Sequence, residues 1–332
     1  MSGHDRIGLI GDIGGTNARF AIADLSGPPT FRDVIKLKAA DYPSLADAAR
    51  AYLDQVPLPA PPRHAVLAVA GPPDRGVIAM TNHVWRASLT ETRDQLGMAQ
   101  VAAVNDFEAI AHAVPALAPE HLTPIGEVPA PAAAAVEKRA ITGPGTGLGV
   151  AQLVGTAGRT LVIPTEGGHV SFAPQSDRQR EIDRVLRHDY PRLSVERLIS
   201  GPGLINLHRA LAKIEDVDAP DLQPSEITRL ARSGDQLCRL VLEEFFAIFG
   251  AFCGDLALIS GARHGVLIAG GILPPLADLL AASDFRTAFQ AKGRFSGYVQ
   301  AVPTQLICHP DPGLLGAAAL LKAFFRREEA RA

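Results

Sequence analysis

Apolar residues in the first 24 positions form two runs that flank a turn rich in glycine. The first run ends at Ile13, Gly14-Gly15-Thr16 follows, and the second run contains Phe20-Ala21-Ile22-Ala23. Two apolar runs separated by such a turn are typical of a β-hairpin. The pattern therefore predicts two strands within residues 7–24 and a tip that carries little side-chain bulk.

Farther along the chain, short strand-like runs give way to segments with helical spacing, a pattern that predicts an α/β protein. Residues 117–138 are rich in Pro and Ala and have no periodicity, so they indicate a long surface loop or a domain boundary. We predict strands at 34–37, 64–70, 100–104 and 265–269, a strand-turn-strand unit at 140–154, and helices from the cap Ser44 to about 55 and at 107–114, 178–188, 194–212, 225–231, 235–259 and 313–326.

Composition narrows the class of protein. The 332 residues are enough for two domains with separate cores, and 47% apolar with 20% charged residues is ordinary for a soluble globular protein. A net charge of −3 shows no excess of positive charge of the kind that binds nucleic acid or an anionic membrane. The apolar stretch 245–253 is too short to span a bilayer and predicts a buried helix. The three cysteines (Cys238, Cys253 and Cys308) are far apart, which favours a reducing cytoplasm.

The first turn carries side chains that an ordinary turn does not need. Backbone N–H groups in a glycine turn form a concavity that binds anions, and Thr16 adds a hydroxyl donor. Asp12 places a carboxylate where a phosphate-bound Mg²⁺ would sit. The alternative is a plain hairpin turn. No G-x-x-x-x-G-K-[ST] pattern occurs in the chain, so a Walker A loop is excluded.

A second turn, Gly145-Thr146-Gly147, also lies between apolar strands. Two similar turns, one in each half of the chain, suggest a duplicated β-rich domain whose copies face each other across a cleft. The similarity is too short to prove a duplication.

Polar residues that could hold a hydroxyl-rich ligand occur at four further places. Asn105-Asp106 follows a strand, where an amide and a carboxylate can bind a hydroxyl and accept its proton, or can simply cap the next helix. Glu166-Gly167-Gly168-His169 fits a polar ligand or a structural turn. Glu196 fits a ligand or a surface position near a helix N-terminus. Gly270-Gly271 fits either a nucleoside lying against the backbone or an ordinary strand-to-helix turn.

These motifs, in this order, resemble the bacterial glucokinase family over nearly the whole chain. The proteobacterial and cyanobacterial branch is the better match, because the chain has no Cys-rich zinc motif. The resemblance rests on residues 11–17, Met80-Thr81-Asn82-His83, 105–107, 145–149, 166–169, 196–203, 269–272 and 311–316.

The resemblance implies a two-domain, actin-like (ribonuclease H-like) ATPase fold of the α/β class with an interdomain cleft. A small α/β domain would comprise residues 1–115 and 312–332, and a large α+β domain residues 116–311. Glucose and ATP would meet in the cleft, and closure would exclude water from the transferring phosphoryl group.

The resemblance also implies roles for the residues named above. Asp106 would be the general base that takes the proton of the sugar's 6-hydroxyl, and Asp12 would hold Mg²⁺ through water. Asn105, Glu166, His169 and Glu196 would bind the other hydroxyls. The ATP-binding residues would be Gly11, Asp12, Ile13, Gly14, Gly15, Thr16, Gly145 and Thr146 around the phosphates and Gly270 and Gly271 beside the adenosine.

The expected activity is therefore ATP-dependent phosphorylation of D-glucose in the cytoplasm, by a homodimer as in the family. An alternative is a related kinase for another hexose, such as fructose or an N-acetylamino sugar. A second is a non-catalytic sugar-dependent regulator. Such regulators usually carry an N-terminal helix-turn-helix, and the first turn here begins too early to leave room for one. An actin-like filament subunit would not need Glu166, His169 and Glu196.

Overall fold

The computed structural model describes residues 6–71, 77–79, 85–127, 131, 134–156 and 159–329. They pack into two compact units. Unit 1 consists of the described residues up to Pro119 and from His309 onward, and unit 2 runs from Glu120 to Cys308. The domain limits expected from the resemblance lie within a few residues of these borders. They stay a prediction, because packing does not test whether either part folds by itself.

Unit 1 is built on a five-stranded sheet with four helices and a separate two-stranded ribbon. The order in the sheet is β3-β2-β1-β4-β7. The strands are β1 (Ile7–Ile13), β2 (Asn17–Asp24), β3 (Thr30–Lys38), β4 (His64–Val69) and β7 (Gln100–Asn105), the ribbon is β5 (Val77–Ala79) with β6 (Arg86–Ser88), and the helices are α1 (Leu45–Leu53), α2 (Leu89–Leu96), α3 (Asp106–Ala113) and α11 (Pro312–Glu329).

Both faces of the central strands in unit 1 are buried, because side chains alternate between the two sides of a sheet. Leu9 and Phe20 pack on one face with Tyr52 of α1. Ile10 packs on the other face with Leu314 of α11. The central strands are thus covered on both sides, which leaves the strand ends and the turns as the places where a ligand could reach them.

The parallel strands of unit 1 end at the same level. Strand β1 runs parallel to β4 with Ile13 beside Val69, and β4 runs parallel to β7 with Val69 beside Asn105. Ligands of α/β sheets bind beyond such carboxyl ends. With strands about 4.8 Å apart, the first glycine turn and Asn105 lie about 10 Å from each other along one sheet edge.

The described residues of unit 2 form a six-stranded sheet and seven α-helices. The order in the sheet is β11-β10-β9-β12-β13-β8. The strands are β8 (Leu122–Pro124), β9 (Val136–Pro144), β10 (Leu148–Thr156), β11 (Arg159–Thr165), β12 (Val266–Ile268) and β13 (Thr304–Ile307), and the helices are α4 (Asp177–Leu186), α5 (Gly201–Ile214), α6 (Pro224–Arg232), α7 (Gln236–Ser260), α8 (Ala277–Ala281), α9 (Phe285–Gln290) and α10 (Ser296–Gln300).

The apolar stretch 245–253 lies inside α7, the central helix of the unit 2 core, as predicted. Phe245 and Phe249 are fully buried there, and Phe249 packs against Phe285 of α9. Among the described helices, none is both long and apolar enough to cross a membrane.

The two sheets share one strand order. In unit 1 an antiparallel hairpin, β1–β2, has the antiparallel strand β3 on one side and the parallel strands β4 and β7 on the other. In unit 2 the hairpin β9–β10 has β11 on one side and the parallel strands β12 and β13 on the other. Strand β8 is an addition at the far edge. The duplicated β-rich core suggested by the two turns is thus present as a repeated topology.

One sequence expectation differs from the structure, a second is met in part because the border between the two units at Pro119 and Glu120 lies inside 117–138, and a third is not tested. The helix predicted at 194–212 is interrupted: a 3-10 turn spans Val195–Arg197, and α5 begins at Gly201, where the Ser200 side chain accepts a hydrogen bond from Gly203 N. The segment 117–138 contains β8, which pairs with β13. The motif Met80-Thr81-Asn82-His83 lies outside the described residues. Elements that the sequence analysis did not predict are β5, β6, β8, β11, β13, α2, α8, α9 and α10.

Candidate functional site

The first turn joins β1 to β2, and its glycines serve different purposes. Gly14 N donates a hydrogen bond to Asn17 O at 2.9 Å, which closes the turn. A Cβ on Gly11 would lie 2.8 Å from Leu67 Cδ2, so a larger residue there would have to push core side chains aside. A Cβ on Gly14 would meet only Asn17 O, at 3.7 Å. Neither Gly14 nor Gly15 has a positive φ. The packing around Gly14 therefore does not explain a glycine at that position, whereas close approach of a ligand to the backbone would.

Asp12 lies at the base of this turn and shares a guanidinium with a second carboxylate. Arg19 Nη1 is 3.2 Å from Asp12 Oδ2, and Arg19 Nε is 3.8 Å from Asp311 Oδ1. A Cβ on Gly313, in the first turn of α11, would lie 3.3 Å from Asp12 Cγ. Burial raises the pKa of Asp12, the nearby Arg19 opposes that shift, and Asp311 adds to it.

Asp12 fits the role of a single carboxylate beside a metal that the nucleotide carries. Mg²⁺ is commonly held by one or two carboxylates together with substrate phosphates and water. Within the part of the chain that the structure describes, no three His, Cys, Asp or Glu side chains converge on a point where they could hold a metal ion. The donor set thus fits an ion that arrives with phosphates rather than a cage made by the protein alone.

Asn105 and Asp106 lie where β7 ends and α3 begins. Asn105 Oδ1 accepts hydrogen bonds from Phe107 N at 2.9 Å and Glu108 N at 3.3 Å. Asp106 Oδ1 also accepts from Phe107 N, at 2.9 Å. Asn105 is therefore the helix cap that one of the two interpretations predicted. The cap uses only its carbonyl oxygen, so it leaves the amide donors compatible with a ligand.

In unit 2 the second turn and the Gly270-Gly271 pair lie together at the carboxyl ends of β9 and β12. Ala269 N donates to Thr142 O at 2.8 Å. Gly270 has a φ of +94°, a left-handed conformation that favours glycine, and a Cβ there would overlap Pro144 O. A Cβ on Gly145 or Gly271 would enter open space. The arrangement leaves an uncovered stretch of backbone at the strand ends.

Glu166, His169 and Glu196 come together beside the same turn. His169 Nε2 is 3.9 Å from Glu166 Oε2, and His169 Nδ1 is 3.8 Å from Glu196 Oε1. These separations exceed a direct hydrogen bond and leave room for a bridging hydroxyl or water. Glu166 and His169 are 63% and 54% exposed, whereas Glu196 is 26% exposed. Two carboxylates and an imidazole can thus bind the hydroxyls of a polar ligand.

Backbone bonds hold this cluster in place. Val195 N donates to Val170 O at 3.0 Å, and Phe172 N donates to Leu193 O at 2.9 Å. They join the segment that carries His169 to the segment that carries Glu196. Arg192 was not predicted from the sequence, and its Nη2 donates to His169 O at 2.7 Å.

Arg19 was not predicted from the sequence either, although a local signal was available. A turn at 14–16 places residue 12 opposite residue 19 in the hairpin, and the structure has this register. Opposite charges at directly facing positions of an antiparallel pair attract each other. No comparable signal pointed to Asp311, which is more than 290 positions away.

Comparison with known proteins gives consistent matches. Residues 9–324 match the sequence model of the family described as Glucokinase. The chain is 44% identical over 324 residues to a glucokinase of Caulobacter sp. (strain K31), and the alignment covers 97% of each chain.

Solved structures with the same fold carry related descriptions. A glucokinase from an Antarctic psychrotroph has a TM-score of 0.83 and 37% identity, with 96% of this chain and 99% of that chain covered. A ROK family glucokinase from Streptomyces griseus, solved in complex with glucose and AMPPNP, has a TM-score of 0.64 and 19% identity, with 96% and 99% covered. The α/β architecture described above is therefore the actin-like ATPase fold of sugar kinases.

Proposed function

The chain belongs to the glucokinase family, and we propose that it transfers the γ-phosphoryl group of ATP to the 6-hydroxyl of D-glucose, with Asp106 as the general base. The family membership is the observation that carries the activity. The positions of the polar groups around the two turns support the individual roles.

The reaction makes one bond and breaks one. The 6-hydroxyl oxygen of glucose bonds to the γ-phosphorus, the bond from that phosphorus to the oxygen of ADP breaks, and the hydroxyl proton passes to Asp106. Phosphoryl transfer depends mainly on positioning and on neutralising charge, so an ordinary carboxylate suffices when the proton leaves late. Asp106 is partly buried at the start of α3, where its Oδ1 is oriented by Phe107 N.

We assign the remaining hydroxyls of the sugar to Asn105, Glu166, His169 and Glu196. In unit 2, the gaps of 3.8 and 3.9 Å between the imidazole and the two carboxylates suit bridging hydroxyls. A sugar epimer that leaves one of these groups without a partner would lose about 1–3 kcal/mol of binding free energy. These groups would therefore discriminate between hexoses.

The phosphates of ATP are assigned to the two turns, residues 11–16 and Gly145-Thr146, and the adenosine to Gly270-Gly271. The room for a Cβ at Gly14 and the open space at Gly145 and Gly271 support this, because the fold itself does not need glycine at those three positions. Asp12 would hold Mg²⁺ through water. When bound, Mg²⁺ neutralises charge on the phosphates.

The test is release of ADP from ATP and Mg²⁺ across a panel of sugars. We expect turnover with D-glucose and much lower kcat/KM with fructose and N-acetylamino sugars. A higher kcat/KM with another hexose would favour the related-kinase alternative. Sugar binding without ADP release from any sugar would favour a regulator and contradict the proposed activity.

The expected homodimer and cytoplasmic location remain predictions. Light scattering after size-exclusion chromatography measures the mass of the particle in solution. A mass of twice the 35.0 kDa chain is the expected outcome.

A further inference from the structure

The Glu196 side chain accepts a hydrogen bond at the second turn and also faces His169. Its Oε2 accepts a hydrogen bond from Leu148 N at 2.9 Å, and Leu148 is the first residue after the Gly145–Gly147 turn. Its Oε1 points to the other side, 3.8 Å from His169 Nδ1. One carboxylate thus contacts both the proposed sugar-binding cluster and the base of the proposed phosphate-binding turn.

The contact with the turn is tight. A Cβ on Gly147 would lie 2.5 Å from Glu196 Oε2, so the carboxylate packs directly on the glycine. A hydrogen bond from a backbone N–H to a carboxylate is charge-assisted and stronger than one between neutral groups. The turn and the carboxylate therefore hold each other in position.

The main chain around Glu196 is tied to the same turn. Ser200 Oγ donates to Glu196 O at 2.8 Å, and Gly201 N donates to Gly145 O at 2.9 Å. Ser200 also caps α5 by accepting from Gly203 N at 3.0 Å. The turn, Glu196 and the start of α5 form one hydrogen-bonded network within unit 2.

Resting on the proposed function, we propose that Glu196 is a positioning residue that couples the binding of glucose to the binding of the ATP phosphates. A sugar hydroxyl bound to Oε1 holds the carboxylate in one orientation, and the hydrogen bond from Leu148 N to Oε2 then holds the turn. Phosphates bound to the turn hold the same carboxylate through that hydrogen bond. Each ligand thus orders groups that the other one needs, so each raises the affinity for the other by the same factor.

The test measures this factor directly. Glucose is titrated into the full-length protein by calorimetry, with and without saturating Mg²⁺ and AMPPNP, and AMPPNP is titrated with and without saturating glucose. For the wild-type protein we expect each ligand to raise the affinity for the other on the order of tenfold, by the same factor in both directions. A wild-type factor of one overturns the proposal.

Glu196→Gln keeps the size of the side chain and removes its charge. Gln offers one oxygen instead of two, so it cannot accept from Leu148 N and from a sugar hydroxyl through separate oxygens. We expect the coupling factor to fall at least about threefold, since the remaining bond to the turn is no longer charge-assisted. Glu166→Gln is the matched control, because Glu166 carries the same charge and also faces His169. It should weaken glucose binding and leave the coupling factor unchanged.

Gly147→Ala breaks the same contact and leaves Glu196 with both of its carboxylate oxygens for the sugar. Its φ is not positive, so Ala is compatible with the backbone, and its Cβ would displace Glu196 Oε2. We expect a lower coupling factor with glucose affinity in the absence of nucleotide within about threefold of wild type, the range of a small local change. If Glu196→Gln binds glucose too weakly to titrate, the coupling factor of Gly147→Ala tests the proposal by itself.

The proposal is overturned if Glu196→Gln or Gly147→Ala keeps the wild-type factor, or if Glu166→Gln loses it to the same extent. These outcomes are separate from failure of the proposed function, because ADP release by the wild-type protein is measured independently of coupling. If Glu196 had a purely structural role, its substitution would lower the affinities for glucose and for AMPPNP and leave the coupling factor unchanged.

Discussion

The two glycine-containing turns occupy equivalent places in two sheets of the same strand order, but different contacts hold them. The first turn has Asp12 at its base, two residues earlier on the same strand, and Asp12 is paired with Arg19 on the facing strand. The second turn has Glu196 at its base, which comes from a 3-10 turn 48 residues after Leu148. The first turn therefore has an ion pair between neighbouring strands, and the second turn has a carboxylate from a segment that is distant in the chain.

The difference suggests a division of roles between the two sheets of the same strand order. A carboxylate paired with a guanidinium, next to open backbone, is suited to a metal that arrives with phosphates. A carboxylate that accepts a backbone N–H and faces an imidazole is suited to joining two ligands. Variants in each unit test this division of roles.

Asp106→Ala should have the largest effect, since Asp106 is the proposed general base. Loss of a general base typically lowers the rate by 10²–10⁴-fold. We expect kcat to fall by about that range while glucose affinity, measured by calorimetry, stays close to wild type. Turnover near the wild-type rate would contradict the role of Asp106 and leave the sugar-binding assignments standing.

Asp12→Asn should change the response to magnesium. Loss of a residue that holds a metal through water or a second group commonly costs about 10–100-fold in metal affinity or activity. The Mg²⁺ concentration for half-maximal ADP release should rise by that order. Glu166→Gln, which removes the same charge in unit 2, is the control and should leave this concentration unchanged. An equal shift in both variants would mean that the two turns do not divide the work as we propose.

Gly143→Ala and Gly145→Ala should separate packing from ligand binding within one hairpin. A Cβ on Gly143 would overlap Ala269 O of the neighbouring strand, whereas a Cβ on Gly145 meets nothing. Overpacking typically lowers the free energy of unfolding by about 1–3 kcal/mol, so Gly143→Ala should melt at a clearly lower temperature. Gly145→Ala should melt near wild type and bind AMPPNP more weakly. Unchanged AMPPNP affinity in Gly145→Ala would remove this turn from the nucleotide site.

His112 of α3 and His208 of α5 should differ in their effect on acid stability. Burial lowers the pKa of His112 from 6.5 to about 4, and it lowers the pKa of His208 against the opposing charges of Asp235 and Asp221. Below pH 6.5 the unfolded chain binds a proton at His112 that the folded protein does not bind until about pH 4. The folded state is therefore destabilised as the pH falls through that window.

The measurement is the free energy of unfolding of wild type, His112→Gln and His208→Gln at pH 7 and pH 4.5. We expect wild type to lose about 1 kcal/mol more than His112→Gln between these conditions. This is less than the roughly 2.7 kcal/mol that 1.36 kcal/mol per pKa unit would give over the two units from pH 6.5 to pH 4.5, because His112 is partly exposed. The difference for His208→Gln should be smaller. A larger effect at His208 would show that Asp235 and Asp221 do not offset its burial.

Much of the fold could be predicted where the signal is local. The hairpin at residues 7–24, the strand before Asn105, the cap at Ser44 and the long helix α7 are all confirmed. Each depends on alternation, on helical spacing or on a capping side chain within a few residues. The break before α5 was missed because the apolar spacing continues from Leu198 through Leu211, although Ser200 and Gly201-Pro202-Gly203 are a start signal for a helix.

Edge and short elements were harder to predict. Strand β11 is mostly exposed on both faces, so it carries no alternation of buried and exposed residues. Strands β8 and β13 are three and four residues long and are stabilised by pairing with each other. Strands of this kind depend on partners that lie far away in the chain.

The sequence by itself determined the two turns, the strands that flank them and the residue types that could bind phosphate and sugar, because these depend on neighbours a few positions apart. Only the tertiary structure decided that Glu196 lies under the second turn, that Asp311 shares Arg19 with Asp12, and that both sheets have one strand order. The physical reason is that contacts between distant segments depend on how whole elements pack. No local preference for helix, strand or turn specifies that packing.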